Sequence, residues 1–173
     1  MASETRSEET RPRLKLKLRA KAESIVRRGH PWVFSESIRE QSREGHAGEL
    51  AVIYDRKNRF LAVGFYDPES PIRVRIVHVG KPIAINLDWW KEQFNVALKK
   101  RAGVQTAETN GLRLINGESD GWPGLVLDRY DESLVLKIYT PAWLDLLQDL
   151  GPLFLSQTGA ARVVFRCSRH LEP

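Results

Sequence analysis

The feature that most constrains the fold is a series of short segments in which apolar and other residues alternate. Leu14, Leu16 and Leu18 alternate with basic residues. Because successive side chains of a β-strand point to opposite faces, this pattern predicts a strand with one buried face and one basic face. Three more strands are predicted in the first half of the chain, at Glu49–Asp55, Arg59–Tyr66 and residues 72–77. Gly64, inside the predicted strand Arg59–Tyr66, indicates a bulge or a close backbone approach.

The spacing of these strands predicts a small β-barrel, because several short strands follow one another with little chain between them. A helix is predicted from Lys21 to Arg28, with Gly29 and Pro31 as stop signals. A boundary is predicted at residues 80–82. The predicted domains are a flexible tail over residues 1–10, the barrel over residues 11–80 and a second domain over residues 83–173.

The second domain is predicted to combine helices and strands. Asn86 is a candidate N-cap for a helix that ends before Gly103, and a second helix is predicted from Ala142 to Phe154. Four strands are predicted, at Leu112–Asn116, Gly124–Tyr130, Leu134–Tyr139 and Arg162–Cys167. The predicted fold class is therefore α+β, a small barrel followed by a separate strand-and-helix domain.

Positive charge is concentrated in the first half of the chain. Residues 1–80 hold 16 Lys and Arg against 11 Asp and Glu, residues 81–173 hold 11 of each, and the net charge is +5. A basic face of this kind suits a polyanion such as RNA, because each cation placed on a phosphate releases counterions. A charge run is also typical of a solvated surface, so charge alone leaves both interpretations open.

The remaining composition excludes several classes of protein. The hydrophobic fraction of 42% and the charged fraction of 28% are those of a globular protein. No apolar run approaches the roughly 20 residues of a membrane span, and no signal peptide is evident, which predicts a cytoplasmic protein without membrane partners. The single cysteine excludes an internal disulfide, and the four histidines lie too far apart in sequence to suggest a metal site.

Two runs of sequence resemble one family. The segments Arg28–Phe34 and Phe60–Arg75, and then Arg113–Leu125 and Val126–Tyr130, resemble the PUA domain and the following central domain of bacterial class I methyltransferases that use S-adenosylmethionine (SAM). These enzymes methylate cytosine C5 of 23S ribosomal RNA. The resemblance implies a PUA-type barrel that binds ribosomal RNA, an EEHEE-like central domain and, in the intact enzyme, SAM as cofactor.

The sequence also departs from that family. The glycine-rich turn of a Rossmann-like site, an Asn-Pro-Pro motif and the family's downstream catalytic cysteine are not found in the sequence. We therefore expect an incomplete part of such an enzyme, without a Rossmann-like domain, a SAM site or activity of its own. The alternative is a complete RNA-binding or ribosome-assembly adapter without enzymatic activity. With either, exposed aromatic residues of the second domain could form a homodimer interface, namely Trp89, Trp90, Trp143 and Phe154.

No catalytic or metal-binding residue is predicted. Cys167 ends an apolar strand and is interpreted as a buried structural thiol. The polar residues of the second run are interpreted as parts of rigid turns, namely Glu118, Asp120, Asp128 and Arg129. Trp32 is interpreted as a core residue with contact to an unpaired base as the alternative, whereas His30 suits base contact and helix anchoring equally. The candidate RNA-binding residues are Lys15, Lys17, Arg19, Lys21, Arg27, Arg28 and His30.

Overall fold

The computed structural model describes residues 13–104 and 109–168, which form two sheets and three α-helices. The predicted tail at residues 1–10 lies outside the described residues. The first sheet has six strands: β1 (Leu14–Leu18), β2 (Trp32–Phe34), β3 (Ile38–Gln41), β4 (Leu50–Tyr54), β5 (Phe60–Tyr66) and β6 (Ile72–Val79). Helix α1 (Ala20–Arg27) follows β1 and ends before Gly29, whose φ of 91° suits a glycine at a helix end.

The first sheet is open between β2 and β3, so the predicted small barrel is corrected to a half-barrel. The strand order is β2-β6-β5-β4-β1-β3, with β1 parallel to β4 and the other pairs antiparallel. The two edge strands, β2 and β3, are joined by one short 3-10 turn, Ser35–Ser37, but they do not pair with each other. The sheet therefore curls towards closure as a half-barrel and leaves two edges.

The alternation in β1 produces the buried face that it predicts. Leu14, Leu16 and Leu18 are fully buried in a cluster with Val26 of α1 and residues of β4, β5 and β6. Burial of each leucine stabilises the fold by roughly 1.5 to 3 kcal/mol. Gly64 makes the predicted close approach, because a Cβ there would lie 2.3 Å from the carbonyl oxygen of Arg75 on β6.

The second sheet has the order β10-β9-β8-β7 and is covered by two helices. Its elements are α2 (Leu87–Arg101), β7 (Gly111–Asn116), β8 (Leu125–Tyr130), β9 (Ser133–Ile138), α3 (Leu147–Thr158) and β10 (Arg162–Cys167). Asn86 caps α2 as predicted, since its side chain accepts a hydrogen bond from the N–H of Trp89 at 2.9 Å. A 3-10 turn, Pro141–Leu146, precedes α3 where one continuous helix was predicted.

The predicted EEHEE arrangement of the second unit is also wrong. Strands β7, β8 and β9 follow one another as antiparallel neighbours, and α3 then carries the chain back so that β10 pairs parallel with β9. From β7 onward the order of elements along the chain is thus three strands, a helix and a strand. None of the helices in the described parts of the chain is long and apolar enough to span a membrane.

One of the two buried apolar clusters joins the two sheets. Phe65 and Val77 of the first sheet lie in the same buried cluster as the residues of α2, α3 and the second sheet. The ring of Phe65 lies 4.8 Å from that of Trp143 and stacks on Trp90 with a centroid distance of 6.2 Å. This continuous packing fixes the first sheet against the second.

Candidate RNA-binding surface

The outward face of β1 borders a shallow polar cleft, which we call the β1 cleft. It has a volume of about 420 Å³ and is lined by Lys15, Lys17, Glu40, Gln41, Ser42, Tyr54 and Asn58. Lys15 is exposed, whereas the ammonium group of Lys17 lies 2.8 Å from the Glu40 carboxylate on β3. Hydrogen bonds from Lys17 and then from Arg39 lower the pKa of Glu40, so this carboxylate is charged at neutral pH.

A second cleft, which we call the aromatic cleft, lies between α1 and β2. It has a volume of about 610 Å³ and brings together Ile25, Val26, Arg28, His30, Trp32 and Phe34. The rings of His30 and Trp32 are edge to face at 6.0 Å, and those of Trp32 and Phe34 are edge to face at 6.5 Å. Half-buried rings beside a guanidinium group can stack on unpaired bases. Trp32 is half-buried and lines this cleft, so its assignment to the core was wrong.

The remaining basic candidates differ in how free they are to bind a ligand. Lys21 and Arg28 are exposed, and the guanidinium of Arg28 donates to the Ser24 hydroxyl at 3.2 Å. Arg19 donates its Nε–H to the Glu36 carbonyl at 2.9 Å. Arg27 forms an ion pair of 2.9 Å with the buried carboxylate of Asp55, which commits part of its charge to the fold.

Asp55 is a structural anchor at the turn between β4 and β5. Its carboxylate accepts hydrogen bonds from the backbone N–H groups of Arg59 and Lys57, both at 2.9 Å, and from the Arg59 side chain. The backbone N–H of Arg59, followed by the Arg59 guanidinium and the N–H of Lys57, lowers the pKa of Asp55 to about 2 despite the opposing effect of burial. Arg27 therefore contacts a carboxylate that is ionised at neutral pH.

The structure thus separates the seven predicted residues. The β1 cleft holds Lys15 and Lys17, and the aromatic cleft holds Arg28 and His30. The strand β3 and the turn before it link the two clefts, since Ser37 lines one and Glu40 the other. Sequence reasoning missed Tyr54, Asn58 and Gln41, because no periodic pattern marks a polar residue that lines a cleft.

The two sheets meet at a polar junction. The indole N–H of Trp32 donates to the Glu118 carboxylate at 3.0 Å, and the guanidinium of Arg75 lies 3.5 Å from the same carboxylate. Glu118 belongs to the 3-10 turn after β7, so this contact ties the wall of the aromatic cleft to the second sheet. The residues are too far apart in sequence for spacing to reveal this contact.

The other polar residues of the second sequence run have structural contacts. Burial acts to raise the pKa of Asp120, but hydrogen bonds from Arg101, the N–H of Asn116 and Lys100 outweigh it and lower the pKa. Asp128 accepts from Arg113 at 2.8 and 3.1 Å, and Arg129 donates to the carbonyl of Thr158 at 3.0 Å. These groups hold turns and strands in place.

Cys167 and the aromatic residues of the second unit also differ from expectation. Cys167 is half-buried on the edge strand β10, so its assignment as a buried thiol is corrected. Trp90, Trp143 and Phe154 are buried in the chain's own core, which removes them from the proposed dimer surface. Over residues 13–104 and 109–168, no group of three or more His, Cys, Asp or Glu side chains could hold a metal ion.

Comparison with known proteins places this surface in a known type of domain. Residues 16–78 match the family model described as a PUA-like domain. The chain is 50% identical over 165 residues to a ribosomal RNA large subunit methyltransferase of Deinococcus radiodurans, covering 92% of this chain and 40% of that protein. It is 39% identical over 118 residues to the large subunit methyltransferase I of Photobacterium profundum, covering 67% of this chain and 30% of that protein. Residues 16–78 are a PUA-like domain, and the chain is homologous to large-subunit rRNA methyltransferases.

Solved structures extend the likeness over both sheets. A candidate SAM-dependent methyltransferase from Streptococcus mutans superposes with a TM-score of 0.76 at 16% identity, over 88% of this chain and 40% of that chain. A candidate methyltransferase in complex with SAH gives a TM-score of 0.78 at 16% identity, over 91% of this chain and 41% of that chain. The expectation that this chain lacks a methyltransferase fold is therefore wrong, because nearly all of the chain shares the fold of these two proteins. The chain spans less than half the length of each of these proteins.

The turn after β7 is rich in glycine, as a turn that binds a nucleotide cofactor would be. Gly117, Gly121 and Gly124 lie in the connection between two antiparallel strands, whereas a nucleotide cradle follows a strand of a parallel sheet. The acidic residue of this turn, Glu118, lines a cavity of about 460 Å³, but its carboxylate is already engaged by Trp32 and Arg75. This part of the structure does not fit the cofactor, so no step is assigned to SAM here.

Proposed function

We propose that this chain provides RNA recognition for the SAM-dependent methylation of large-subunit ribosomal RNA, with a cytosine C5 as the methyl acceptor. The observation that supports this most strongly is that one PUA-like domain carries both the β1 cleft, with Lys15 and Lys17, and the aromatic cleft. Homology to rRNA methyltransferases favours this role over that of an adapter without enzymatic activity. The RNA-binding domain comprises residues 11–80, and residues 83–173 support it.

The two clefts have different tasks in this proposal. Lys15, Lys17, Lys21 and Arg28 bind phosphates, which positions the RNA without reading its sequence. The aromatic cleft takes an unpaired base against the rings of His30 and Trp32. Because Trp32 also donates to Glu118, a base in this cleft lies beside the second sheet. The methyl acceptor is thereby held in a defined position relative to the second unit.

The test is the affinity for a structured 23S rRNA fragment, measured by fluorescence anisotropy across a salt series. The variant K15A/K17A/K21A/R28A removes four cations and leaves the Arg27–Asp55 ion pair intact. It should bind the RNA more weakly and flatten the dependence of log K on log salt by about 3, given roughly 0.7 to 0.9 per phosphate contact. The control K91A/K99A removes exposed charges from α2 and should bind like the wild-type chain.

Two results would contradict the proposal. If the fourfold variant and the α2 control bind equally well, the basic residues form only a solvated face. If W32A retains full affinity for a fragment with an unpaired loop, no base stacks in the aromatic cleft. Because Trp32 is half-buried, a thermal melt of the variant should accompany the measurement to show that it is folded.

A further inference from the structure

The second sheet has one covered face and one open face. Residues Leu134, Leu136 and Ile138 of β9 are buried in the cluster that contains Phe94 of α2 and Phe154 of α3, so both helices lie on that side. The residues that alternate with them point to the opposite side, which we call the outer face. There Tyr130 is 56% exposed and Tyr139 is 48% exposed. Exposed tyrosine rings can stack on bases.

The outer face carries a net positive charge. The carboxylate on its strands, Asp128, is neutralised by the two hydrogen bonds from Arg113. Two further carboxylates, of Asp131 and Glu132, are exposed in the turn between β8 and β9 at the Tyr130 end. Lys137, Arg162 and Arg166 have no acidic partner among residues 13–104 and 109–168. The strands of the face therefore offer three cations without an ion-pair partner among the described residues, which exceed the two carboxylates of the adjoining turn by one charge.

The charges and rings occur together at both ends of the face. At one end, Tyr130 pairs with Ser133, whose hydroxyl accepts from Arg162 at 2.8 Å. At the other end, the ammonium group of Lys137 lies 4.8 Å from the ring centroid of Tyr139, and Arg166 pairs with Lys137 in the neighbouring strand. Ser133 and Tyr139 are six residues apart on an extended chain, a distance of about 20 Å.

We propose that the outer face is a second RNA-binding surface, which binds a single-stranded segment of the RNA held by the PUA-like domain. This inference rests on the proposed function for the identity of the RNA. The rings of Tyr130 and Tyr139 stack on bases, and Lys137, Arg162 and Arg166 bind phosphates. The two rings are about 20 Å apart along the sheet, a distance that a single strand of a few unstacked nucleotides spans. A four-stranded sheet that presents aromatic rings to bases is an established way to bind single strands.

Charge favours RNA over a protein partner for this face. An interface that buries against another protein has a core depleted in charged residues and a continuous apolar patch. Here the exposed rings lie at the two ends, cations accompany each of them, and the apolar residues between them are three valines, Val126, Val135 and Val164. Rings flanked by cations suit a strand in which bases alternate with phosphates.

The test uses a fluorescently labelled single-stranded oligoribonucleotide of about 12 nucleotides, which exceeds the proposed span. The variant Y130A/Y139A should weaken its binding at least about tenfold, since one stacked base is worth roughly 1 to 3 kcal/mol. The variant Y130F/Y139F keeps the rings and should retain the affinity. The variant K137A/R162A/R166A should weaken binding and reduce the salt dependence by about 2. All five substituted residues lie on the outer face, and K91A/K99A serves as the charge control.

The outcomes separate this inference from the proposed function. If the sheet variants bind the oligoribonucleotide like the wild-type chain, the inference is wrong, whatever the PUA-like domain does. If K15A/K17A/K21A/R28A still binds structured rRNA normally while the sheet variants lose the single strand, the outer face stands and the proposed function fails. Dimers that are detected by light scattering and abolished by Y130A/Y139A, without any change in RNA affinity, would show that a second copy covers the face and overturn the inference.

Discussion

Removal of the Glu40 carboxylate should strengthen RNA binding. This carboxylate lies 2.8 Å from Lys17 and 2.7 Å from Arg39, so it neutralises cations at the edge of the β1 cleft. Lys17 can bind a phosphate only when it leaves Glu40, and Glu40 then repels that phosphate. The variant E40Q removes both effects and leaves a side chain of the same shape.

The size of the effect follows from exposure. The side chains of Lys17 and Glu40 are 32% and 51% exposed, and an ion pair this accessible to water changes an equilibrium by a factor of about 1 to 5. Relief of the repulsion between Glu40 and the phosphate contributes a similar factor at low salt and less at physiological salt, where screening acts over about 8 Å. We therefore expect E40Q to bind structured rRNA about two- to tenfold more tightly, with the larger value at low salt.

Fluorescence anisotropy at several salt concentrations measures this effect. The matched control is E92Q, which removes an exposed carboxylate from α2, outside the PUA-like domain. Tighter binding by E40Q and not by E92Q would place the RNA at the β1 cleft. Equal affinities for E40Q, E92Q and the wild-type chain would refute the reasoning, because a phosphate beside Lys17 must respond to the charge of Glu40.

Three further predictions concern the fold that supports the site. Asp55 has a lowered pKa, so its carboxylate should stabilise the native state above pH 3.8, and this contribution should disappear as the pH falls through about 2. The free energies of unfolding of the wild-type chain and D55N, measured by urea titration, should therefore converge over that range and differ at neutral pH. W143F should lower the free energy of unfolding by about 2 kcal/mol more than W122F. The first substitution leaves the carbonyl of Pro123 without its donor, whereas the indole N–H of Trp122 has no partner among the described residues to lose. Equal losses in thermal melts would contradict this. G64A should destabilise the chain by at least about 2 kcal/mol, since the added Cβ meets the backbone of Arg75, and a wild-type urea midpoint would show that the two strands can separate freely.

Elements with a strong periodic pattern could be predicted from the sequence, and the two short edge strands of the first sheet, β2 and β3, could not. The alternation of Leu14 to Leu18 and the cap at Asn86 correspond to β1 and α2. The edge strand β3 was missed because, apart from Ile38, its residues are polar and lie in water, so no buried face imposes a pattern. Barrel closure was predicted wrongly because strand order depends on long-range pairing, such as that of β1 with β4.

The candidate RNA-binding surface could be predicted only in part, because it also depends on contacts between residues that are distant in the sequence. A run of basic residues shows in the sequence, but the availability of each charge depends on partners that are distant in the chain. Lys17 and Arg27 are both engaged by carboxylates, of Glu40 and Asp55. The half-buried position of Trp32 depends on Glu118, which belongs to the other sheet.

Ultraviolet cross-linking of the chain to 23S rRNA, followed by mass spectrometry of the linked peptides, tests the central claim most directly. Aromatic side chains stacked on bases lie in direct contact with them, so the sites of attachment identify the surface that holds the RNA. We predict links in the peptide that contains His30, Trp32 and Phe34 and in the peptide around Tyr54, and their loss in K15A/K17A/K21A/R28A. Efficient cross-linking that leaves residues 13–80 entirely unmodified would contradict RNA recognition by the PUA-like domain.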